Sequence, residues 1–120
     1  MKNIFVQETS SIHKVLERLQ KTGEKCLLVV KKNKVLLGTI TDGDIRRAIL
    51  KKTSTNSIIK NIYKKNCKSI YLGDISLRKA RDILKSSNLP LIPIINKNRK
   101  VINYVSLLNT NTIKNKKKIE

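Results

Sequence analysis

A polar turn, Thr41-Asp42-Gly43-Asp44, joins an apolar strand to a helix in the first half of the chain. Hydroxyl and carboxylate side chains at such a junction satisfy backbone N–H groups that have no partner inside the helix. The same oxygens can instead accept hydrogen bonds from hydroxyl groups of a ligand. The sequence therefore favours one of two roles for Thr41, Asp42 and Asp44, either a helix cap or a ligand-binding site.

Other reactive residue types have simpler interpretations. Asp42 and Asp44 form a carboxylate pair, but no acidic residues follow at the spacing of a calcium loop, so we expect no metal site. His13 is expected to be solvated, on the polar side of a helix. Cys26 and Cys67 are expected to be reduced thiols. No nucleophile–base pair or glycine-rich phosphate loop is apparent, so we expect no enzyme.

The composition is that of a small protein with an aliphatic core. A chain of 120 residues can bury roughly two thirds of the surface of its unfolded form. No apolar run approaches the roughly 20 residues of a membrane span, and the N-terminus lacks a signal-peptide core. We therefore expect a cytoplasmic protein with no membrane association.

The net charge of +19 attracts polyanions and makes nucleic acid a partner to consider. The lysines are spread along the chain, however, and the chain has only one Phe, three Tyr and no Trp on which bases could stack. Specific nucleic-acid binding is thus a lesser alternative.

The two halves of the chain repeat one pattern. At an offset of 65 residues, without a gap, residues of similar character coincide: Ile12 with Leu77, Leu27 with Ile92, Ile40 with Val105, Thr41 with Ser106, and Asp44 with Asn109. A single offset that holds through a helix, a turn and two strands indicates an internal duplication.

Each unit is predicted to begin with a short extended piece, residues 4–6 and 69–72, followed by an amphipathic helix. Ser10 or Ser11 is suited to cap the first helix, and Asp74 or Ser76 the second. The apolar stripes of the two helices predict these buried residues: Ile12, Val15, Leu16 and Leu19, then Leu77, Ala80, Ile83 and Leu84.

Gly23 and Asn88 are suitable helix ends, and apolar runs follow at residues 26–30 and 91–95. These runs are too short for helices and predict inner strands covered on both faces. Pro93 is expected near a strand start or an edge, because proline cannot donate to a ladder. A second strand and a helix complete each unit, which gives the order strand, helix, strand, strand, helix.

Two further apolar groups lie on the second helix of the first unit and in the segment after it. The helix has the apolar positions Ile45, Ala48 and Ile49. The segment between the units has Ile58, Ile59 and Ile62 at near-helical spacing, which predicts one or two helical turns packed on the core. We expect an α+β, sandwich-like fold with repeat 1 at residues 1–52, a linker at 53–67, repeat 2 at 68–112, and a basic tail or the start of a linker at 113–120.

The chain resembles a tandem pair of cystathionine-β-synthase-type (CBS) domains over nearly its whole length. The first unit carries the resemblance in residues 28–30, in Leu37-Gly38-Thr39-Ile40-Thr41, in Asp44-Ile45 and in Arg47. The second unit carries it in residues 92–95 and 101–102, and residues 61–63 look like the segment before its first strand. The stretch 37–47 is also similar to CBS pairs that precede a sugar-nucleotidyltransferase domain. The resemblance implies two βαββα repeats packed with pseudo-two-fold symmetry.

The same resemblance implies a function. Such pairs generally sense adenine nucleotides or related ligands and regulate an attached enzyme or transporter. The candidate ligands here are AMP, ADP, ATP and S-adenosylmethionine, the expected partner is a nucleotidyltransferase, and we expect a homodimer. Carried over by position, Thr41 and Asp44 would contact ribose and phosphate, with Arg47 as a phosphate partner. The helix N-terminus after Thr41 also favours an anionic phosphate. The implied ligand-binding residues are Gly38, Thr41, Asp42, Asp44, Arg47, Ser106 and Asn109.

The second unit departs from the family pattern. Asn103 stands in place of the glycine, Ser106 in place of Thr, Asn109 in place of Asp, and 107–108 are leucines. The helix beyond Asn109 lacks an apolar stripe, so we expect repeat 2 to be degenerate there and at most one nucleotide site, built around repeat 1. A pair that binds no ligand and only supports dimerisation is the alternative, in which Arg47 merely complements the acidic turn.

Overall fold

Two three-stranded sheets and three helices make up the described part of the chain. The computed structural model describes residues 3–73 and 76–108. The elements are, in order, β1 (Phe5–Val6), α1 (Ile12–Thr22), β2 (Cys26–Val30), β3 (Leu36–Thr41), α2 (Asp42–Leu50), β4 (Ile70–Tyr71), α3 (Leu77–Ser87), β5 (Leu91–Ile95) and β6 (Val101–Ser106). The chain divides into unit 1, residues 1–67, and unit 2, residues 68–120. The predicted α+β class is confirmed.

The two sheets have the same topology. In unit 1 the strand order is β1-β2-β3, with β1 parallel to β2 and β2 antiparallel to β3. In unit 2 the order is β4-β5-β6, again with one parallel and one antiparallel pair. In each unit the strand that follows the first helix is therefore the central strand, which agrees with its continuous apolar sequence.

The structure confirms the internal duplication in its local details as well as in its elements. Ser11 and Ser76 cap α1 and α3, and each side chain accepts a hydrogen bond from the backbone N–H three residues later. The same helices end at Gly23 and Asn88, both left-handed with φ of 74° and 59°. All four positions obey the offset of 65 residues, so the repeated sequence signals specify repeated backbone conformations.

The core of unit 1 forms between its sheet and its helices. Every residue of β2 is buried, and α1 buries Ile12, Val15 and Leu19. Ile45 and Ala48 of α2 are also buried. Two predicted apolar positions are less covered: Leu16 is half-buried, and Ile49, in the last turn of α2, is 45% exposed.

Unit 2 has its own apolar cluster and one unexpected proline. Ile70, Ala80, Leu84, Ile92, Ile94 and Val105 form the cluster, with Leu77, Ile83 and Leu89 packed against it. Pro93 lies in the middle of the central strand β5, opposite Tyr104, so the expectation of a strand start or edge was wrong. The strand tolerates it because β4 pairs with Ile94 and Ile95, and the ladder on that side begins after the proline.

The segment between the units contains no regular helix, but one turn is present where the apolar spacing predicts it: the N–H groups of Ile62 and Tyr63 donate to the Ile59 carbonyl at 2.8 and 3.3 Å. The segment also bonds to α1 and the residues before it, through the N–H groups of Ile12 and Ile59, which donate to Ser57 and Ser10 at 2.9 Å each. Only Ile59 of the three isoleucines is fully buried, while Ile58 is 48% exposed. We name residues 53–67 the strap; it contains turns at 54–57 and 59–62 and packs along the rest of unit 1.

Three expectations fall outside the described residues: the cap at Asp74, the C-terminal helix of repeat 2 beyond residue 108, and the basic tail. None of the helices in residues 3–73 and 76–108 has the length and apolar character needed to cross a membrane.

Candidate functional site

The junction between β3 and α2 is fixed by two reciprocal hydrogen bonds. The backbone N–H of Asp44 donates to Thr41 Oγ1 at 3.1 Å, and the backbone N–H of Thr41 donates to Asp44 Oδ2 at 2.9 Å. This capping box forms because Thr and Asp stand at the N-cap and third helical positions. It holds the Asp44 carboxylate rigidly at the start of α2.

One face of α2 continues from Asp44 toward the C-terminus. Asp44, Arg47, Ala48 and Lys51 follow at helical spacing and line one cavity. Arg47 Nη2 lies 2.5 Å from Asp44 Oδ1. The Arg47 side chain is 68% exposed and that of Asp44 only 15%. The Asp44 carboxylate is therefore largely covered, whereas most of the Arg47 side chain lies in solvent apart from its contact with Asp44.

The strap after α2 forms the facing wall of this cavity. It contributes the hydroxyl residues Thr53 and Ser57, the apolar Ile58 and Ile62, and the amide of Asn61. The cavity volume is about 440 Å³, which lies within the range of small-molecule sites of roughly 300–1,000 Å³. Charged groups on α2 together with hydroxyl, amide and apolar groups on the strap are typical of a site for a ligand with a charged end and an apolar ring.

The strap is held in place on its far side by Tyr63 and Lys64. Tyr63 Oη donates to Glu8 Oε2 at 2.9 Å. The burial of the Tyr63 phenol, followed by its hydrogen bond and charge interaction with Glu8, raises its pKa above the usual value. The backbone of Lys64 pairs with that of Thr39 on β3 through bonds of 3.0 and 2.9 Å. These contacts fix the position of the wall that carries Ile58, Asn61 and Ile62.

Gly38 has a packing role that differs from its expected ligand contact. A Cβ at this position would overlap the carbonyl oxygen of Lys64 and come within 2.8 Å of the Tyr63 ring. Gly38 is absent from the residues that line the Asp44 cavity. The glycine therefore lets the strap cross β3 closely, and this close approach shapes the cavity indirectly.

The other expected site residues of unit 1 separate into two groups. Asp44 and Arg47 line the cavity, and Thr41 positions Asp44. Asp42 does not line the cavity, and its carboxylate lies 3.4 Å from Arg46 Nη2 in an exposed ion pair.

Two of the backbone N–H groups at the N-terminus of α2 already have acceptors within the protein, so fewer donors remain for an anion than the sequence predicts. The N–H of Asp42 donates to the carbonyl of Lys25 at 3.3 Å, and that of Asp44 donates to Thr41. With these two donors engaged, the cations available to an anionic group in the cavity are the side chains of Arg47 and Lys51.

Unit 2 differs at the corresponding junction. Ser106, the counterpart of Thr41, is completely buried, and the next residues, Leu107 and Leu108, are 57% and 41% exposed. Asn109 lies outside the described residues. Asn103, the counterpart of Gly38, accepts a hydrogen bond from the N–H of Tyr104 at 2.8 Å with its side-chain oxygen. Unit 2 therefore has an apolar surface where unit 1 has Asp42 and Gly43.

The other reactive side chains, His13 and Cys26, do not line the cavity. Within residues 3–73 and 76–108, no group of three or more His, Cys, Asp or Glu side chains could hold a metal ion. His13 is exposed and lies 3.5 Å from Glu17. Burial, above all, raises the pKa of the Cys26 thiol to about 12, which makes it a poor nucleophile.

Sequence reasoning missed the strap residues, Lys51 and the role of Gly38. The polar stretch 51–57 has the composition of an ordinary loop, and nothing in its spacing indicated that it faces α2. Ile58 and Ile62 were predicted to pack on the core, and nothing in the sequence distinguishes them from the buried Ile59. Their exposure is visible only in the structure, where Ile58 is 48% exposed.

The first half of the chain matches a known family model. Residues 1–51 match the model described as CBS domain. An uncharacterized protein of Rickettsia prowazekii is 32% identical over 99 residues, which cover 78% of this chain and 29% of that protein. The chain spans less than a third of the length of the curated relatives that it matches.

The fold is similar to that of two solved CBS proteins with bound ligands. One is the CBS domain pair of protein MJ0100 in complex with 5′-methylthioadenosine and S-adenosyl-L-methionine, with a TM-score of 0.74 and 20% identity, covering 98% of this chain and 91% of that one. The other is PAE2072 from Pyrobaculum aerophilum complexed with AMP, with a TM-score of 0.73 and 17% identity, covering 91% of this chain and 83% of that one.

Proposed function

We propose that this chain, which has the fold of a tandem CBS domain pair and carries a CBS domain at residues 1–51, is a regulatory module that binds an adenine nucleotide or a related nucleoside in the cavity of unit 1. The observation that carries the proposal is the position of Asp44. Its carboxylate is held by a capping box on the wall of a cavity that also contains Arg47 and Lys51.

Asp44 is the proposed partner of the ribose. An ionised carboxylate can accept hydrogen bonds from two neighbouring hydroxyl groups, and each bond to a charged group contributes about 1.5–3 kcal/mol. Oδ2 already accepts from the Thr41 N–H, so the oxygen available to a sugar is mainly Oδ1, which Arg47 now contacts. Binding therefore requires Arg47 to share or release this oxygen.

Arg47 and Lys51 are the proposed partners of the phosphate. Arg47 is mostly exposed and lies one turn after Asp44, so a change of rotamer can move its guanidinium from the carboxylate to an anion. Lys51 supplies a second positive charge in the same cavity. For S-adenosylmethionine, which carries no phosphate, the same cations would face the carboxylate of its methionine part.

The strap is the proposed partner of the base. Ile58 and Ile62 offer apolar contact to a purine ring, and the Asn61 amide can both donate and accept at its edge. The ligands of the structurally similar MJ0100 and PAE2072 support an adenine-containing ligand. AMP, ADP, ATP and S-adenosylmethionine are accordingly the ligands to test.

The regulated partner is proposed to be an enzyme such as a sugar nucleotidyltransferase, with the module acting as a cytoplasmic homodimer. The chain covers only 29% of its Rickettsia relative, which is long enough to contain further domains. A ligand would influence such a partner only by binding two arrangements of the module with different affinity. We propose residues 1–52 and 68–112 as the two repeats, 53–67 as the linker and 113–120 as a tail, with at most one nucleotide site.

A thermal-shift screen with these four ligands tests the proposal. A ligand at a hundredfold excess over its Kd stabilises the folded state by about 2.7 kcal/mol, which raises the Tm of a domain of this size by several degrees. We expect such a shift with at least one ligand and a smaller one in Arg47→Gln. Failure of all four ligands to shift the Tm would contradict the proposal.

Exposed apolar side chains favour a second candidate, a dimerisation module without a ligand. Leu107 and Leu108, which are adjacent after β6, are 57% and 41% exposed, and Leu50 at the end of α2 is 76% exposed. Adjacent exposed apolar side chains, such as Leu107 and Leu108, are candidates for contact with a partner. Sedimentation that shows a dimer indifferent to every nucleotide would favour this candidate.

A further inference from the structure

A second cavity of unit 1, of about 350 Å³, is lined by five cationic side chains: Lys14, Arg18, Lys31, Lys32 and Lys34. We name it the basic cavity. It lies at the opposite end of the β2–β3 hairpin from the Asp44 cavity. Thr41 pairs with Cys26 at the first residue of β2, whereas residues 31–34 form the turn that follows its last residue, Val30. The two cavities share no lining residue.

Two of these cations are positioned by contacts with Phe5. Arg18 Nη1 donates to the carbonyl oxygen of Phe5 at 2.5 Å, and Lys34 Nζ lies 5.2 Å from the centroid of the Phe5 ring. Lys34 has a left-handed backbone with φ of 64°, which fixes the shape of the turn. Arg18 and Lys34 are therefore held against β1, while Lys14, Lys31 and Lys32 are exposed around them.

The charge of the basic cavity is unbalanced. Among the described residues that line it, none is acidic. Glu17 lies 3.5 Å from His13 and lines a neighbouring cavity together with Lys14 and Arg18, but it does not line the basic cavity. Five like charges around one concave surface repel one another, and an anion bound among them removes this repulsion.

Unit 2 does not repeat the full set of five cations, so the basic cavity is more than a consequence of the high lysine content of the chain. At the offset of 65 residues, Lys14, Lys32 and Lys34 correspond to the cations Lys79, Lys97 and Arg99 of unit 2. Arg18 and Lys31, however, correspond to Ile83 and Asn96, and Phe5 corresponds to the buried core residue Ile70. The contacts that Arg18 and Lys34 make with Phe5 thus belong to unit 1.

We propose that the basic cavity binds a compact polyphosphate group, at a site separate from that of the proposed nucleotide. A small ligand with several phosphates carries more charge and more acceptor oxygens than a single phosphate, so it can engage more of the five cations at once. The concave shape favours a compact anion over an extended nucleic acid. Phe5 is also a poor platform for a base, because Lys34 already lies over its ring.

Inorganic tripolyphosphate is the probe for this site. Calorimetric titration of the full chain at about 150 mM salt, where charges beyond about 8 Å are screened, is expected to show saturable binding of one tripolyphosphate. Lys14→Gln/Lys32→Gln should weaken that binding about tenfold or more. The matched control Lys79→Gln/Lys97→Gln removes the same charge from equivalent exposed positions and should change the affinity less than about twofold.

The remaining outcomes overturn the proposal. Absence of binding, or an equal loss in both double variants, would mean that only the general field of the protein attracts anions. A single-stranded oligonucleotide that binds more tightly than tripolyphosphate and is lost in the same variant would assign the surface to nucleic acid. Loss of tripolyphosphate binding in Arg47→Gln/Lys51→Gln, with binding retained in Lys14→Gln/Lys32→Gln, would place the anion in the other cavity.

Discussion

Thr41 and Asp44 cap α2 by exchanging hydrogen bonds, each accepting with its side chain from the backbone N–H of the other. This reciprocity means that the helix cap and the candidate ligand site are built from the same two residues. The two roles that the sequence left open are compatible, because the cap uses only one oxygen of the Asp44 carboxylate. The other oxygen faces Arg47.

The overlap of cap and site affects how variants at this junction are chosen. Asp44→Ala removes the acceptor for the Thr41 N–H and lowers stability, by about 1 kcal/mol for a typical cap. Asp44→Asn retains an oxygen that can accept this bond while it removes the charge. The asparagine variant therefore separates ligand binding from folding.

Gly38→Ala is expected to destabilise the protein by about 1–3 kcal/mol, the usual cost of overpacking. Its Cβ would overlap the Lys64 carbonyl, which is backbone and cannot rotate away. Gly43→Ala is the control, since its Cβ would lie 3.5 Å from the nearest atom, Arg47 Nη1. In the first turn of α2 it should be neutral or stabilising by up to about 1 kcal/mol. Chemical denaturation measures both, and equal effects would contradict the packing role of Gly38.

The hydrogen bond between Tyr63 and Glu8 is expected to hold the strap against unit 1. Tyr63→Phe should lower the free energy of unfolding by about 1 kcal/mol or more, because the acceptor is charged and the bond is partly buried. A double-mutant cycle with Glu8→Ala should give a coupling energy of at least about 0.5 kcal/mol. Strictly additive effects would show that the bond contributes nothing to the position of the strap.

Alkaline pH is expected to destabilise the protein through Cys26. Burial raises the pKa of this thiol from 9.0 to about 12, so the folded state keeps a proton that the unfolded state loses. The contribution is complete below about pH 9 and is lost as pH rises toward 12. In that interval the free energy of unfolding of the wild type should fall faster than that of Cys26→Ala, by about 1.4 kcal/mol per pH unit. If the free energies of unfolding of the wild type and of Cys26→Ala, determined in urea, fall in parallel between pH 9 and 12, the raised pKa of Cys26 does not contribute to stability.

The fold was largely predictable from the sequence because its signals are local. Caps at Ser11 and Ser76, helix ends at Gly23 and Asn88, and the repeated apolar runs each depend on a few neighbouring residues. The resemblance to a CBS domain pair is confirmed by the family match and the structural similarities. The assignment of individual ligand-binding residues stays a prediction.

The features that were not predictable depend on contacts between distant segments. The strap takes its path from backbone bonds such as that between Ser57 and Ile12, whose partners are 45 residues apart in sequence. Gly38 was predicted to be a ligand-binding residue from its place in the motif. Its packing role depends on the crossing of Lys64 over β3, which the sequence does not show. The turn at Ile59 does not extend into a helix, because the Ile59 N–H donates to Ser10 and the backbone of Lys64 pairs with that of Thr39.

Calorimetric titration of AMP and of S-adenosylmethionine into the wild type, Asp44→Asn and Asp42→Asn tests the central claim most directly. Asp42 lies on the same helical turn, carries the same charge and pairs with Arg46 outside the cavity. We predict that at least one ligand binds the wild type, that Asp44→Asn weakens this binding about tenfold or more, and that Asp42→Asn changes it less than about twofold. Failure of both ligands to bind the wild type, or an affinity in Asp44→Asn equal to that of the wild type, would contradict a nucleotide site built on Asp44.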